Sequence, residues 1–336
     1  MSDDAAPIAP AADAREPSAA LQDLHVRTEA AIAQVRRVVF GQERPVRLML
    51  ACLLSRGHAL LEGVPGTAKT LLALSLSRTV QARFQRIQFT PDLMPSDIVG
   101  THIFDPRTQD FVMRQGPVFT DVLLADEINR TPPKTQAALL EVMEERAVTV
   151  GGERHKISPI FTVFATQNPL EFEGTYPLPE AQLDRFMMKI EVPYPDAEAE
   201  ARVLTRYSTG GSSHRAVDEV IEPVLRPEDL DGLLATIGSV HVEEGVVRYV
   251  QRLLAASRDS DALLLGAGTR SGLHLLIASR AWAALAGRDF VTPDDIKELA
   301  KPVLAHRLIL QADAQVDGLR SEDVLDDLLR RVEVPR

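Results

Sequence analysis

The chain of 336 residues contains a single cysteine, Cys52, so no intrachain disulfide can form and no thiolate cluster can hold zinc. That usage fits a reducing compartment and predicts a cytoplasmic home. Aromatic residues make up only 5%, and the one tryptophan, Trp282, stands in an alanine-rich helical stretch where a large ring reads as packing. Basic residues are in deficit: 37 Lys plus Arg against 48 Asp plus Glu give a net charge of −11, a poor match for nucleic acid or anionic lipid. Long apolar runs are missing too, since residues 48–54 fall far below the ~20 that span a bilayer and Arg56 follows closely. No basic-then-apolar leader pattern opens the chain, no internal repeat is found, and the histidines lack the paired spacing of a metal site.

The length allows two domains at ~100–200 residues each. Residues 1–20, with Pro7, Pro10 and Pro17 among Ala, Asp and Ser, predict a disordered tail. Helical spacing of apolar residues runs over 21–40, and a second helix is expected over 46–55. From His58 to Pro195, the runs HALLEG, FQRIQFT, DVLLADE, FTVFATQ and FMMKIEV read as strands separated by helices, which indicates a buried, largely parallel sheet. Residues 101–114 and 147–157 break that rhythm and read as β-hairpins. Beyond Pro195 helical periodicity takes over, with a loop expected at 208–213 and a clear helix start at Thr292-Pro293-Asp294-Asp295. The boundaries that follow are tail 1–20, α/β domain 21–195 and helical domain 196–336.

Directly after HALLEG comes Gly63-Val64-Pro65-Gly66-Thr67-Ala68-Lys69-Thr70, followed by a helical run. This is the strand, loop and helix order that aims backbone N–H groups at phosphate oxygens. Lys69 would reach the terminal phosphates, and the Thr70 hydroxyl would be a magnesium ligand. Ala68 departs from the strict pattern, which has glycine there, and its methyl group could resist the local backbone angle. The strand Val122-Leu123-Leu124-Ala125 ends in Asp126-Glu127, placing a candidate metal-holding carboxylate beside a candidate general base. A third strand ends at Asn168-Pro169, where the amide could position a water or simply open a turn.

GVPGTAKT, LLADEINRTPPKTQAALLEVMEE, FATQNP and LPEAQLDRF together resemble the MoxR-type AAA+ ATPases, in the helix-2-insert group that includes magnesium-chelatase ATPase subunits. The resemblance covers about residues 38–308, and members of that family commonly carry alanine before the lysine. It implies an AAA+ P-loop nucleotide-binding domain followed by an all-α lid, with ATP and Mg2+ at the junctions of a ring, usually a hexamer. It implies that Val39, Phe40, Gly41 and Gln42 line the adenine pocket and that Asn168 is a sensor. Arg185 becomes the arginine finger toward the neighbouring subunit, and Arg270 the sensor arginine that closes the lid over the γ-phosphate. The chain has Gly-Ala-Gly-Thr-Arg at 266–270 where the family has Gly-Ala-Ser-Pro-Arg, and Arg130 receives no role.

The two hairpins match elements that project toward the ring's opening in that family. Arg107, Arg114, Arg154, His155 and Lys156 are therefore either client contacts or solvated hairpin tips. The expected function is Mg-dependent ATP hydrolysis coupled to remodelling, maturation or activation of a partner protein, often one with a von Willebrand factor A domain. A nucleic-acid motor or transcriptional activator is disfavoured by the charge and by the absence of a Gly-Ala-Phe-Thr-Gly-Ala loop between Asp97 and Asp121. A binding module without turnover is disfavoured by the intact Lys69, Thr70, Asp126 and Glu127.

Overall fold

The structure is a computed structural model that describes residues 18–168, 174–208 and 213–335. Nearly all of the expected tail, Pro169 and most of the loop expected at 208–213 lie outside the described residues. In chain order the strands are β1 (Ala59–Glu62), β2 (Phe84–Gln88), β3 (Gly100–Asp105), β4 (Asp110–Gln115), β5 (Val122–Asp126), β6 (Ala147–Val150), β7 (Glu153–Lys156), β8 (Thr162–Gln167) and β9 (Met188–Glu191). The five apolar runs form one parallel sheet in the spatial order β2-β5-β8-β1-β9. β5 is buried at every position, as a strand covered on both faces must be. β2 lies at the edge, where Ile87 is buried between exposed Arg86 and Gln88, and its register sets Gln88 beside Asp126.

Both interruptions are hairpins, β3 with β4 and β6 with β7. They touch each other: Gly151, in the second turn at φ +61°, lies so close to the His102 imidazole that a Cβ there would overlap the ring. His155 is half-buried with its ring edge-on to Phe119, so it is not a free tip. Arg154 pairs with Glu145 at 3.3 Å. The first hairpin is more apolar than its charges suggested, for Ile103, Phe104 and Phe111 are exposed and the two phenyl rings meet edge to face at 5.5 Å.

In chain order the first helices are α1 (Ala19–Arg36), α2 (Glu43–Leu54), α3 (Lys69–Thr79), α4 (Pro95–Val99), α5 (Pro133–Glu145), α6 (Glu180–Leu183) and α7 (Ala197–Tyr207). The rest of the chain is α8 (Ser213–Val220), α9 (Leu230–Gly238), α10 (Glu244–Arg258), α11 (Thr269–Leu285), α12 (Pro293–Leu304), α13 (Ala312–Val316) and α14 (Ser321–Arg331). One short antiparallel strand pair, Leu263–Leu265 with Ile309–Leu310, interrupts the helices. Thr292 caps α12 as its sequence predicts, accepting from the Asp295 amide while Asp295 accepts from the Thr292 amide at 2.8 Å. The main core joins α1, α2 and α3 to the lid, with α11 packed directly on α1 and α2. A second core fills the opposite face of the sheet under α5 and the hairpins. This docking decides where the first turn of α11, and with it Arg270, comes to rest.

Candidate functional site

The loop from Gly63 to Ala68 joins β1 to α3, and Gly66 (φ +87°) and Ala68 (φ +66°, ψ +23°) both turn left-handed. Ala68 therefore adopts the conformation that glycine takes without strain, at a cost of ~1 kcal/mol for its methyl group. Lys69 folds back into this loop, its Nζ donating to the Gly63 carbonyl at 2.6 Å and the Val64 carbonyl at 2.9 Å. Burial pulls its pKa below the usual lysine value, against the opposing pull of Asp126 and Glu127.

Asp126 and Glu127 stand at the carboxyl end of β5, opposite the loop. The Thr70 hydroxyl lies 3.4 Å from Asp126 Oδ2, and the Thr166 hydroxyl donates to Asp126 Oδ1 at 2.6 Å. Arg86 donates to Oδ2 from Nη2 at 2.7 Å and from Nε at 3.1 Å. Glu127 sits at φ +58°, a strained angle for a side-chain-bearing residue, with its amide bonded to the Thr166 hydroxyl at 2.8 Å. Its Oε2 accepts from Gln88 Nε2 at 2.5 Å and pairs with Arg130 at 3.3 Å. Lys69, Thr70, Asp126, Glu127 and Thr166 line a cleft of about 440 Å³ between residues 65–71 and the strand ends, with Asn168, buried at the tip of β8, and Val203 of α7 on its wall. The donor set fits a nucleotide with Mg2+: a hydroxyl and a carboxylate are hard oxygen ligands, and Mg2+ takes few protein ligands beside phosphate oxygens.

Val39, Phe40, Gly41 and Gln42, expected around the adenine, are not among the residues lining this cleft, and Phe40 and Gly41 meet α7, which contributes Val203 to it. A Cβ on Gly41 (φ +71°) would come within 2.8 Å of the Ala199 Cβ in α7, and the Arg202 guanidinium covers the Phe40 ring at 4.4 Å. Gln42 donates to the Pro193 carbonyl at 2.8 Å, while its buried Oε1 has no partner.

Arg185 and Arg270 are brought together, away from this cleft. Arg185 Nη2 lies 3.0 Å from Glu144, and Arg270 bridges Glu144 at 3.1 Å and Asp184 at 3.2 Å. Asp184 and Glu144 raise the Arg270 pKa above its ordinary value. Both arginines border a separate hollow of about 180 Å³ that shares no lining residue with the first. Arg270, expected to act as the sensor arginine over the γ-phosphate, has its contacts with Asp184 and Glu144, where the packing of α11 on α1 and α2 carries its first turn.

Sequence reasoning missed Arg86, Gln88, Thr166 and Val203. The alternation in FQRIQ was the available signal for the first two. Thr166 and Val203 carried none.

The description "ATPase family associated with various cellular activities (AAA)" matches residues 58–188, and an AAA lid domain matches 255–328. The chain is 44% identical over 317 residues to Chaperone MoxR1 of Mycobacterium tuberculosis, covering 92% of this chain and 82% of that one. It is 35% identical over 309 residues to Protein MoxR of Paracoccus denitrificans, covering 86% and 91%. A crystal structure of a candidate ATPase from Cytophaga hutchinsonii superposes with a TM-score of 0.87 at 39% identity, over 94% of this chain and 97% of that one.

Proposed function

The chain belongs to the MoxR family of AAA ATPases, and from that premise we propose that it hydrolyses Mg·ATP at the junctions of a homo-oligomeric ring, hexameric in the simplest case, to remodel, mature or activate a partner protein. The convergence of Lys69, Thr70, Asp126 and Glu127 on one cleft carries the hydrolytic part. Lys69 leaves the Gly63 and Val64 carbonyls for the terminal phosphate oxygens, which the loop amides also bind. Thr70 and Asp126 hold Mg2+, whose charge offsets that of the transferring phosphoryl group. Glu127, released from Gln88, takes a proton from water as the water oxygen bonds to the γ-phosphorus and the bond to ADP breaks. Asn168 orients that water.

Because Arg185 and Arg270 border the separate hollow, both serve the γ-phosphate of the adjacent subunit, and Arg270 is a sensor across the junction. The chaperone name belongs to the mycobacterial relative. Carried to this chain, it makes the partner a protein client, to which the family resemblance adds a protein with a von Willebrand factor A domain; either is met by the hairpins through Phe104, Phe111 and the neighbouring basic residues. A cytoplasmic home and the division into 21–195 and 196–336 belong to the same reading. No described helix is long and apolar enough to cross a membrane.

The test uses two variants. Glu127→Gln is expected to bind ATP normally but release phosphate at least about a hundred-fold more slowly, because an amide cannot take the proton. Arg185→Ala is expected to bind ATP in its own loop and lose turnover by roughly a thousand-fold. Mixed rings of the two, verified by native mass spectrometry, recover activity at junctions that unite an intact Glu127 with an intact Arg185. Wild-type turnover in either single variant removes that residue from the mechanism.

A further inference from the structure

Arg307 belongs to the lid, in the short helical turn Ala305–Arg307, yet four of its six side-chain polar contacts reach back to residues 184–187. Its side chain is 3% exposed. Nε donates to Asp184 Oδ1 at 2.8 Å, and Nη2 donates to the carbonyls of Phe186 at 2.6 Å and Asp184 at 3.2 Å. Nη1 donates to the Met187 carbonyl at 3.3 Å and to the Val303 carbonyl, while Nη2 also meets His274 Nδ1 at 2.6 Å. His306 adds its Nε2 to the same Phe186 carbonyl at 3.1 Å. The carbonyls so held flank Arg185 on both sides, and inward-facing carbonyls need such donors.

The contacts continue outward. Asp184 gives Oδ1 to Arg307 and Oδ2 to Arg270, and Arg270 shares Glu144 with Arg185. A buried fork that uses all three of its nitrogens on one segment has a geometry lysine cannot copy.

We propose that Arg307 is a positioning residue that fastens residues 184–187 to the lid and so aims Arg185 at the nucleotide of the adjacent subunit. The proposal rests on the reading of Arg185 as a finger acting across the junction. It makes the seating of one subunit's lid an input to hydrolysis in its neighbour's cleft rather than in its own.

Arg307→Gln is expected to keep nucleotide affinity in its own loop within about twofold of wild type, by calorimetry, while turnover falls about a hundred-fold, as for a misplaced catalytic group. Arg307→Lys retains a charge near Asp184 without the fork and falls between the two. Mixing distinguishes positioning from damage. Arg307→Gln subunits bring an intact Glu127 and Glu127→Gln subunits bring a well-aimed Arg185, so their mixed rings regain activity; damage to the variant's own cleft would give no recovery. The Arg185→Ala plus Glu127→Gln mixture is the control. Recovery in the control with none for Arg307→Gln overturns the proposal, as does full turnover by Arg307→Gln alone. Mixed rings that form without recovery in the control overturn the reading of Arg185, and the proposal with it. Should Arg307→Gln melt without cooperativity, Asp184→Asn, at a partly exposed position, undergoes the same mixing test with the same outcomes.

Discussion

The Asp126 carboxylate already holds a cation, the Arg86 guanidinium, on the oxygen that faces Thr70. A metal taking Asp126 and Thr70 as ligands must draw that oxygen away from Arg86, so the guanidinium and Mg2+ compete for it. Arg86→Gln is therefore expected to lower the Mg2+ concentration that half-saturates nucleotide binding, roughly tenfold if ~1.4 kcal/mol of the charge-assisted pair is lost on loading. Calorimetric titration of Mg2+ into the nucleotide complex checks this; an unchanged or higher requirement would show that Arg86 orients Asp126 for the metal. Lys69, Thr70, Asp126 and Glu127 were legible in the sequence because each lies in a short motif whose spacing carries its chemistry. Arg86, Gln88 and Thr166 reach the same carboxylates from neighbouring strands, and only the parallel register brings them there.

At the start of α12, Thr292 and Asp295 form a reciprocal cap, and Asp295 has a second task. It lies 4% exposed and accepts two bonds from Arg288, at 2.6 and 2.8 Å. Thr292→Ala is expected to cost ~1 kcal/mol, the usual worth of such a cap. Asp295→Ala should cost at least ~2 kcal/mol, since it also leaves a part-buried guanidinium unpaired. Urea unfolding of the two variants orders them, and equal losses would mean that the Arg288 pair contributes nothing. This cap was legible because its residues are adjacent in sequence. The hairpins were legible as hairpins for the same reason, whereas the contact of His102 with Gly151 and the burial of His155 depend on two hairpins meeting in space.

Over the whole molecule, the helical character of the chain after Pro195 followed from its periodicity, but the direction in which the lid docks did not, since no local pattern ties Arg307 to Asp184. Buried histidines mark this docked arrangement. Burial and the nearby Arg146 hold His58 down to about 3, its Nδ1 accepting from the Val163 amide and its Nε2 meeting the Met143 carbonyl. Burial and Arg307, with Arg270 adding and Asp184 opposing, bring His274 to about 4. His306 lies well below its ordinary value for lack of solvent and the nearness of Arg307 and Lys189. All three are neutral when folded, whereas in the unfolded chain they take up protons as pH falls through 6.5. The unfolded state then binds more protons, so stability is greatest above pH 6.5 and declines toward the folded values, by up to ~1.4 kcal/mol per pH unit for each histidine. Urea unfolding should therefore show stability falling from pH 7 to pH 5, and His274→Gln should make the slope shallower. A flat profile over that interval would mean that these imidazoles are charged in the folded protein, and that the lid meets the Asp184 segment in some other way.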